Sequence, residues 1–223
     1  MNKKLTASIL LVVIVASFFA MIETEAEQPK RYEADNIFHK SNASLFYLRN
    51  IGEYETVRSV GTGVIISDEG LALTAYHVVK HAVELEAVLQ DGRNVSGVKV
   101  EAYDEGNDVA LLRFPKVEEV EAFSALPLRP GGVSHGETVF AIGFPLKETP
   151  IITQGIVNSP EAKINGRSRV LTSAGIVSGM SGGPLLDQEG HVVGIISGSL
   201  RTMPGIHLVV SIEEVAELVE DFQ

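Results

Sequence analysis

The sequence predicts an all-β protein, built as two antiparallel barrels or as a sandwich and followed by one C-terminal helix. Most of the chain consists of short apolar runs rich in β-branched and aromatic residues, which is the composition typical of strands. Turn-forming residues such as Asp, Gly and Asn separate these runs. With 223 residues, 45% of them hydrophobic, the chain is long enough for one or two packed cores.

The predicted strands fall into two sets, on either side of a connection at 121–132. The first set comprises 43–49, 61–68, 71–76, 83–89, 94–103 and 108–114. The second set comprises 138–144, 151–159, 168–174, 190–198 and 205–211. The two sets indicate two structural halves joined by that connection.

Helical spacing of apolar residues is found at the C-terminal end of the sequence. Ser211 is the predicted N-cap, and Glu213 and Glu214 lie in the first turn, where carboxylates favour the positive end of the helix dipole. The apolar residues that recur on one face are Ile212, Val215 and Leu218. This spacing predicts a helix with one apolar face.

Residues 1–26 have the pattern of an export signal. Two lysines precede an apolar run of 16 residues at 7–22, and small residues follow at 24–26, where a signal peptidase would cleave. The alternative is an uncleaved membrane anchor, because a spanning helix needs roughly 17–25 residues. Residues 27–42 are polar and are predicted to form a flexible lead.

Charge and cysteine content restrict the partners and the compartment. The formal net charge is −11, and removing residues 1–26 does not change it because that segment carries two Lys and two Glu. Nucleic acids and anionic membranes bind basic surfaces, so neither is expected as a partner, and membrane contact is expected only if the leader is retained as an anchor. The chain has no Cys, which suits a bacterial exported protein better than a small disulfide-stapled one.

A G-x-S-x-G sequence at 179–183 makes Ser181 a candidate nucleophile. The motif is weak by itself, because a serine hydroxyl needs a base to take its proton and a carboxylate to orient that base. His77 follows an apolar strand at the start of a short helical turn, and Asp108 stands at the head of a predicted strand. The histidines in polar or glycine-containing loops and turns are His39, His135 and His191.

Two other types of site match part of this pattern. His77 and His81 could bind zinc from one helix face, but zinc peptidases of that type need Glu directly after the first His, and this residue is Val78. In α/β-hydrolases the acid and the histidine follow the serine, whereas the order here is His77, Asp108, Ser181. Neither a metal site nor an α/β-hydrolase fold is expected.

Five ordered blocks, covering about 43–222, resemble those of trypsin-like serine proteases of the bacterial HtrA (DegP-type) branch. The blocks are GTGVIISDEGLALTAYHVV, NDVALLRF, AIGFPL with ITQGIVNS, TSAGIVSGMSGGPLLDQEGHVVGI, and GIHLVVSIEEVAELV. The resemblance implies a trypsin-like domain at 43–223. It implies two six-stranded antiparallel barrels, at about 43–125 and 126–210, and a helix at 211–222.

The resemblance also implies the roles of the candidate residues. His77 is the general base, Asp108 orients it, and Ser181 is the nucleophile. The amides of Gly179 and Ser181 form the oxyanion hole, and Gly179 allows a backbone geometry that a side chain would hinder. No cofactor is implied, and the implied substrates are polypeptides.

Two features depart from relatives. Met180 stands where trypsin-type zymogens have the Asp that receives the new N-terminus, so activation by that route is not expected. HtrA proteases usually carry a peptide-binding PDZ domain after the protease domain, whereas this sequence ends at Gln223, so we expect no such domain. The oligomeric state is left open.

The resemblance further implies the residues that line the primary specificity pocket. They are Gly175, Ile176, Ser178, Ile196, Ser197, Gly198, Gly205 and His207. One hypothesis places His207 at the pocket floor, where it favours an acidic or polar residue before the scissile bond. The alternative is a core position with its ring hydrogen-bonded. Since no trypsin-like acid is near, small or medium aliphatic residues are the expected preference.

The sequence as a whole predicts an exported serine endopeptidase that acts in protein quality control or processing. Two alternatives remain open. One is a catalytically silent protein-binding module on the same fold, and the other is an esterase that uses the same triad.

Overall fold

The computed structural model describes residues 31–116, 122–147, 149–200 and 202–222. The strands form two antiparallel β-structures, an open sheet from the first half of the chain and a closed barrel from the second half. The predicted all-β class with a C-terminal helix is confirmed.

Seven strands form the first sheet. They are β1 (Leu45–Ile51), β2 (Val57–Ile65), β3 (Leu71–Thr74), β4 (Glu84–Leu89), β5 (Asn94–Ser96), β6 (Lys99–Asp104) and β7 (Val109–Arg113). Their order across the sheet is β5-β4-β1-β2-β3-β7-β6, and every neighbouring pair is antiparallel. Within the described residues β5 and β6 are not paired with each other, so this half is an open sheet where six strands in a closed barrel were expected.

The additional strand arises at the run predicted as one strand over 94–103. Gly97 adopts a φ of +77°, a left-handed conformation that interrupts a strand and that glycine adopts without a steric penalty. The chain therefore turns between β5 and β6 and sends them to opposite edges of the sheet.

Six strands of the second half close into a barrel. They are β8 (Thr138–Leu146), β9 (Thr149–Ile164), β10 (Arg167–Thr172), β11 (Pro184–Leu186), β12 (Val192–Ser199) and β13 (His207–Ser211). Their order is β10-β13-β12-β11-β8-β9, and pairing of β9 with β10 completes the circle. The predicted six-stranded barrel is thus present in this half.

Among the described residues three α-helices accompany the strands: α1 (Ala34–Ser41), α2 (Tyr76–Val79) and α3 (Ile212–Val219). The sequence predicted a flexible lead over residues 27–42. The second half of this segment is instead helical, as α1. Ile37 is fully buried in the core, and the backbone N–H of Tyr32 donates to the Gln188 carbonyl at 2.7 Å. Tyr32 and Ala34 pack partly against the same cluster, and the Lys40 ammonium donates to the Glu189 carbonyl at 2.7 Å, so tertiary contacts hold this polar segment in place.

Helix α3 agrees with its prediction. The Ser211 hydroxyl accepts a hydrogen bond from the Glu214 N–H at 3.4 Å, which makes Ser211 the N-cap. Its buried side chains are Ile212, Val215 and Val219. Leu218, predicted on the same face, is partly buried against the core.

The apolar core is continuous from the sheet to the barrel. One buried cluster contains Leu73 and Leu111 of the sheet together with Ile142 and Ile195 of the barrel. Since burial of apolar surface is the main stabilising term in folding, this shared cluster holds the two halves together. The segments that follow β3, β6 and β10 come together beside it: the Tyr76 N–H donates to the Asp108 carbonyl, and a Cβ on Gly182 would lie 2.7 Å from the Ala75 nitrogen.

The predicted export signal at 1–26 lies outside the described residues, as do residues 27–30. In the part of the chain that the structure describes, no helix has both the length and the apolar character needed to cross a membrane.

We expect Phe46→Ala to lower the free energy of unfolding by about 3–5 kcal/mol, because a buried aromatic ring would leave a cavity. Phe46 is 0% exposed, and its ring packs edge-on against Phe114 with centroids 5.0 Å apart. The control is Val83→Ala at a side chain 68% exposed, which should change stability by less than about 0.5 kcal/mol. Urea denaturation followed by circular dichroism measures both, and equal effects would contradict the assignment of Phe46 to the core.

Candidate active site

His77 lies in α2, the single helical turn that follows β3. The Asn50 side-chain amide donates to the carbonyl of Val78 at 2.9 Å and to that of Lys80 at 3.0 Å. The Ser59 hydroxyl donates to the same Val78 carbonyl at 2.7 Å. Because a helix of four residues has little stability of its own, these bonds from β1 and β2 determine where the His77 ring is held.

The structure brings His77 and Asp108 together as predicted from the sequence. Nδ1 of His77 lies 3.0 Å from Oδ1 and 2.9 Å from Oδ2 of Asp108, and Oδ1 also accepts the backbone N–H of His77 at 3.0 Å. A carboxylate can only accept hydrogen bonds, so Nδ1 carries the ring proton. Nε2 of the neutral ring then has a free lone pair and can act as a base.

The Asp108 carboxylate remains ionised although it is largely buried. Burial by itself would raise its pKa, but hydrogen bonds from the His77 ring and the Ser197 hydroxyl, with attraction to the imidazole, hold the pKa of Asp108 below its usual value. The Ser197 bond to Oδ2 comes from β12 in the barrel. Asp108 therefore offers a fixed negative charge to His77.

Ser181 lies in the loop between β10 and β11, which packs against the first sheet. The backbone N–H of Thr62 donates to the Ser181 carbonyl at 2.8 Å. A Cβ placed on Gly61 would lie 2.8 Å from that carbonyl oxygen and 2.7 Å from a methyl group of Val78, the residue after His77. The serine loop and helix α2 therefore meet at Gly61. Among the hydrogen bonds of the described residues, none joins the Ser181 hydroxyl to His77.

Gly179 is required by the conformation of this loop. Its φ is +94°, and a Cβ would lie 2.7 Å from the Phe144 carbonyl oxygen and 2.9 Å from the Pro145 Cα. In the described part of the chain, the backbone N–H groups of Gly179 and Ser181 donate to no protein acceptor. Two unpaired N–H groups so close together can both donate hydrogen bonds to an oxygen atom that becomes negatively charged during a reaction.

Thr62 connects the serine loop to both halves of the molecule. Its hydroxyl donates to the Gly179 carbonyl at 2.8 Å and accepts the backbone N–H of Phe144 at 2.9 Å. Its own carbonyl accepts the Thr74 hydroxyl at 2.7 Å. Thr62 is fully buried on β2, so these bonds are shielded from water.

The predicted pocket residues occupy three segments that adjoin this loop. Gly175, Ile176 and Ser178 precede Gly179 on the loop, Ile196, Ser197 and Gly198 lie on β12, and Gly205 and His207 lie just before and at the start of β13. Ser197 was predicted to line the pocket. In the structure its hydroxyl donates a hydrogen bond to the Asp108 carboxylate.

Of the two hypotheses for His207, the structure agrees with the one that places it in the core with its ring hydrogen-bonded. The ring is 8% exposed, and Nε2 accepts the Ile176 N–H at 3.3 Å while Nδ1 lies 2.8 Å from the Ser199 hydroxyl. Since Nε2 accepts, Nδ1 carries the proton and donates to Ser199. Burial lowers the pKa of His207, which keeps the ring neutral. Both ring nitrogens are therefore used within the protein.

Sequence reasoning missed the structural roles of Asn50, Thr62 and the Ser197 hydroxyl. Asn50 and Thr62 are fully buried polar residues within otherwise apolar strands. A buried polar side chain needs partners, so polar residues inside apolar runs were the available signal. Which partners they bond could not be predicted, because those residues are distant in the chain.

One group of side chains in the described residues has the composition of a metal site. Ligand atoms of Asp187, Glu189 and His191 lie within 4.8 Å of one another. Oδ1 of Asp187 already accepts the backbone N–H groups of Glu189 and His191, each at 2.9 Å. The Arg129 guanidinium lies 3.7 Å from the other oxygen of Asp187 and already provides a positive charge. These contacts account for the cluster as a capped turn.

Comparisons with known proteins identify the family of the chain. Residues 61–195 match the family of trypsin-like peptidase domains. The chain is 32% identical over 185 residues to a putative protease Do-like 14 of Arabidopsis thaliana, an alignment that covers 74% of this chain and 42% of that protein. It is 29% identical over 219 residues to the mitochondrial serine protease HTRA2 of Bos taurus, covering 92% of this chain and 46% of that protein.

A solved structure is also similar. The serine endoprotease from Yersinia pestis superposes with a TM-score of 0.74 at 26% sequence identity, covering 86% of this chain and 67% of that chain. The present chain spans less than half the length of the two curated relatives named above.

We expect Thr62→Val to lower the free energy of unfolding by at least about 2 kcal/mol, because it leaves the Gly179 carbonyl and the Phe144 N–H buried without partners, each costing about 1–3 kcal/mol. Thr62→Ser keeps the hydroxyl and should lose clearly less stability. Chemical denaturation of both variants measures the difference. Equal losses in the two variants would contradict a dominant contribution of the hydroxyl.

Stability should fall with decreasing pH partly through His207. Its folded-state pKa is below the unfolded value of about 6.5, so the unfolded chain binds the proton first, and the stabilisation present above about pH 6.5 is lost as the pH falls below it. His207→Gln removes this titration while leaving the other five histidines, and we expect a flatter dependence of unfolding free energy on pH. Urea denaturation at several pH values tests this, and identical pH slopes would contradict it.

Proposed function

Because the chain belongs to the trypsin-like peptidase family, on its HtrA branch, we propose that it is a serine endopeptidase whose chemistry is carried by Ser181, His77 and Asp108. The observation that carries the proposal is the bond between Asp108 and Nδ1 of His77, which leaves Nε2 free to accept a proton. The packing of the Ser181 loop against α2 through Gly61 supports the assignment of the nucleophile.

The reaction proceeds in two stages. Nε2 of His77 takes the proton of the Ser181 hydroxyl as the oxygen attacks the peptide carbonyl carbon, and Asp108 stabilises the imidazolium that forms. His77 then gives the proton to the departing amine, the peptide C–N bond breaks, and an acyl-enzyme remains on Ser181. A water molecule activated by His77 attacks the ester, which releases the new carboxylate and restores the hydroxyl.

Gly179 and Ser181 supply the oxyanion hole in this proposal. Negative charge appears on the former carbonyl oxygen in each tetrahedral intermediate, and the unpaired N–H groups of the two residues donate to it. Each donor of this kind contributes roughly 2.7–4 kcal/mol to transition-state stabilisation. Thr62 supports the arrangement because it fixes the carbonyl of Gly179, and with it the peptide plane between the two donors.

The proposed substrates are polypeptides cleaved after small or medium aliphatic residues. A pocket that selects an acidic residue needs a free cationic or donor group, whereas both nitrogens of the buried His207 ring bond within the protein. His207 ties the loop at Ile176 to Ser199, and so it shapes the pocket by holding two of its proposed walls together.

We further propose that the protein is exported to the cell envelope or secreted, with a role in protein quality control or processing. The support is the charged, apolar and small-residue pattern of residues 1–26, together with the absence of Cys from the sequence. A membrane contact follows only if that leader is retained.

Substitution of the proposed triad should abolish peptide hydrolysis. We expect losses of roughly a million-fold in kcat for Ser181→Ala and for His77→Ala, and of about ten-thousand-fold for Asp108→Asn, which puts the His77 proton on the wrong nitrogen. Casein digestion and cleavage of a peptide library measure the activity, and Ser96→Ala at an exposed serine of β5 is the control.

Labelling by a fluorophosphonate separates the alternative functions. Wild type should be labelled and Ser181→Ala should not. If wild type is not labelled, the fold serves as a silent binding module and the proposal is wrong. If it is labelled and turns over small esters but leaves casein intact, it is an esterase.

A further inference from the structure

We propose that Arg169 and Glu214, both in the barrel half of the molecule, are positioning residues for Asp108. They act by fixing Asn107, the residue directly before the carboxylate that orients His77. The inference rests on the proposed peptidase function and extends its machinery to a buried cation on β10 and to the first turn of helix α3.

Asp108 has a backbone conformation that needs external support. Its φ is +63°, in the left-handed region, where a non-glycine residue is strained and persists only when its surroundings fix it. This conformation turns the carboxylate toward α2, where it meets both the ring and the backbone N–H of His77. Relaxation toward the ordinary right-handed or extended region would turn it away.

Hydrogen bonds hold the two peptide planes on either side of Asp108. The Asp108 carbonyl accepts the Tyr76 N–H at 3.2 Å, which fixes the plane after it. The Asn107 carbonyl accepts Nη2 of Arg169 at 3.0 Å, which fixes the plane before it. The angle φ of Asp108 is the rotation about its N–Cα bond, and its nitrogen belongs to that preceding plane. By fixing this plane, Arg169 opposes the relaxation of Asp108 out of the left-handed region.

The burial of Arg169 indicates a specific role. Arg169 is 4% exposed, and its guanidinium donates to two carbonyls, that of Asn107 at 3.0 Å and that of Ser168 at 2.6 Å. Within the described residues, no carboxylate oxygen lies within ion-pair distance of its guanidinium. Burying a cation without such a pair is costly, and an apolar side chain would fill the same space at lower cost. The carboxylates of Asp108, Glu214 and Asp104 act on the guanidinium from beyond ion-pair distance, whereas its hydrogen bond to the Asn107 carbonyl is direct and orients the peptide plane before Asp108.

Glu214 fixes the side chain of the same asparagine. The Asn107 amide donates to Oε2 of Glu214 at 2.5 Å and to Oδ2 of Asp104 at 2.9 Å, and the Asn107 N–H donates to Oδ1 of Asp104 at 2.9 Å. Asp104 belongs to the same turn, whereas Glu214 is 107 positions away in α3. Helix α3 therefore connects the turn before Asp108 to the barrel.

The proposal predicts a loss of turnover without a matching loss of substrate binding. Arg169→Met keeps the apolar stem and removes the donors, and we expect kcat to fall by about ten- to a hundredfold with KM changed less than about threefold, because misplacement of a catalytic group affects mainly the chemical step. Arg169→Lys can still donate to the Asn107 carbonyl and should recover most of kcat. Glu214→Ala should lower kcat in the same direction by a smaller factor.

The matched control is Glu213→Ala, which removes the same charge from the same helical turn at an exposed residue. It should leave kcat and KM unchanged. If Arg169→Met does not fold, as judged by circular dichroism and urea denaturation, the comparison of Glu214→Ala with Glu213→Ala still tests the proposal. Equal kcat in these two variants and wild type would overturn the role of Glu214. A loss in Arg169→Met that Arg169→Lys does not relieve would overturn the role of Arg169.

Proton NMR provides a readout that does not depend on activity. The low-field resonance of the His77 ring N–H bonded to Asp108, assigned by its loss in His77→Ala, should weaken or shift in Arg169→Met and Glu214→Ala and stay in place in Glu213→Ala. An unchanged resonance in all three would overturn the positioning role. If wild type shows the resonance but neither cleaves peptides nor reacts with a fluorophosphonate, the proposed function fails while the positioning role stands.

Discussion

The site depends on one buried threonine that joins the sheet to the barrel. Thr62 bonds the serine loop through the carbonyls of Ser181 and Gly179, and it bonds β8 through the Phe144 N–H. The contact of β2 with the serine loop also requires Gly61, because a Cβ there would overlap the Ser181 carbonyl. Gly61 and Thr62 on β2 thus explain how two separately built β-structures come into register at the site.

Most of the strands could be predicted from the sequence because each lies in an apolar run of suitable length. Each element that the sequence did not predict has a physical cause. Strand β11 has only three residues after a pair of glycines, too few for a periodic pattern, and the run at 94–103 conceals a left-handed glycine. Helix α1 has one fully buried apolar side chain, Ile37, in a polar segment, so its packing on the barrel is decided by tertiary contact and not by local pattern.

The candidate site was predictable where a residue type defines the chemistry, and unpredictable where a side chain acts through distant partners. His77 and Asp108 could be paired from their types and order, and the structure brings them into hydrogen-bond contact. The Thr62 hydroxyl, by contrast, bonds to residues 82 and 117 positions away, and Arg169 bonds to a carbonyl 62 positions away. No periodicity encodes such pairs, because they arise only when the two halves have folded against each other.

Asp108 takes its hydrogen bonds from both halves, from His77 on the sheet side and from Ser197 on the barrel. A ribosome releases β1 to β7 first, and a nascent chain of that length holds the imidazole and the carboxylate but neither the serine nor the Ser197 hydroxyl. The proposed catalytic set, and the Ser197 bond that holds its carboxylate, are thus completed only after the later half has emerged and folded against the first.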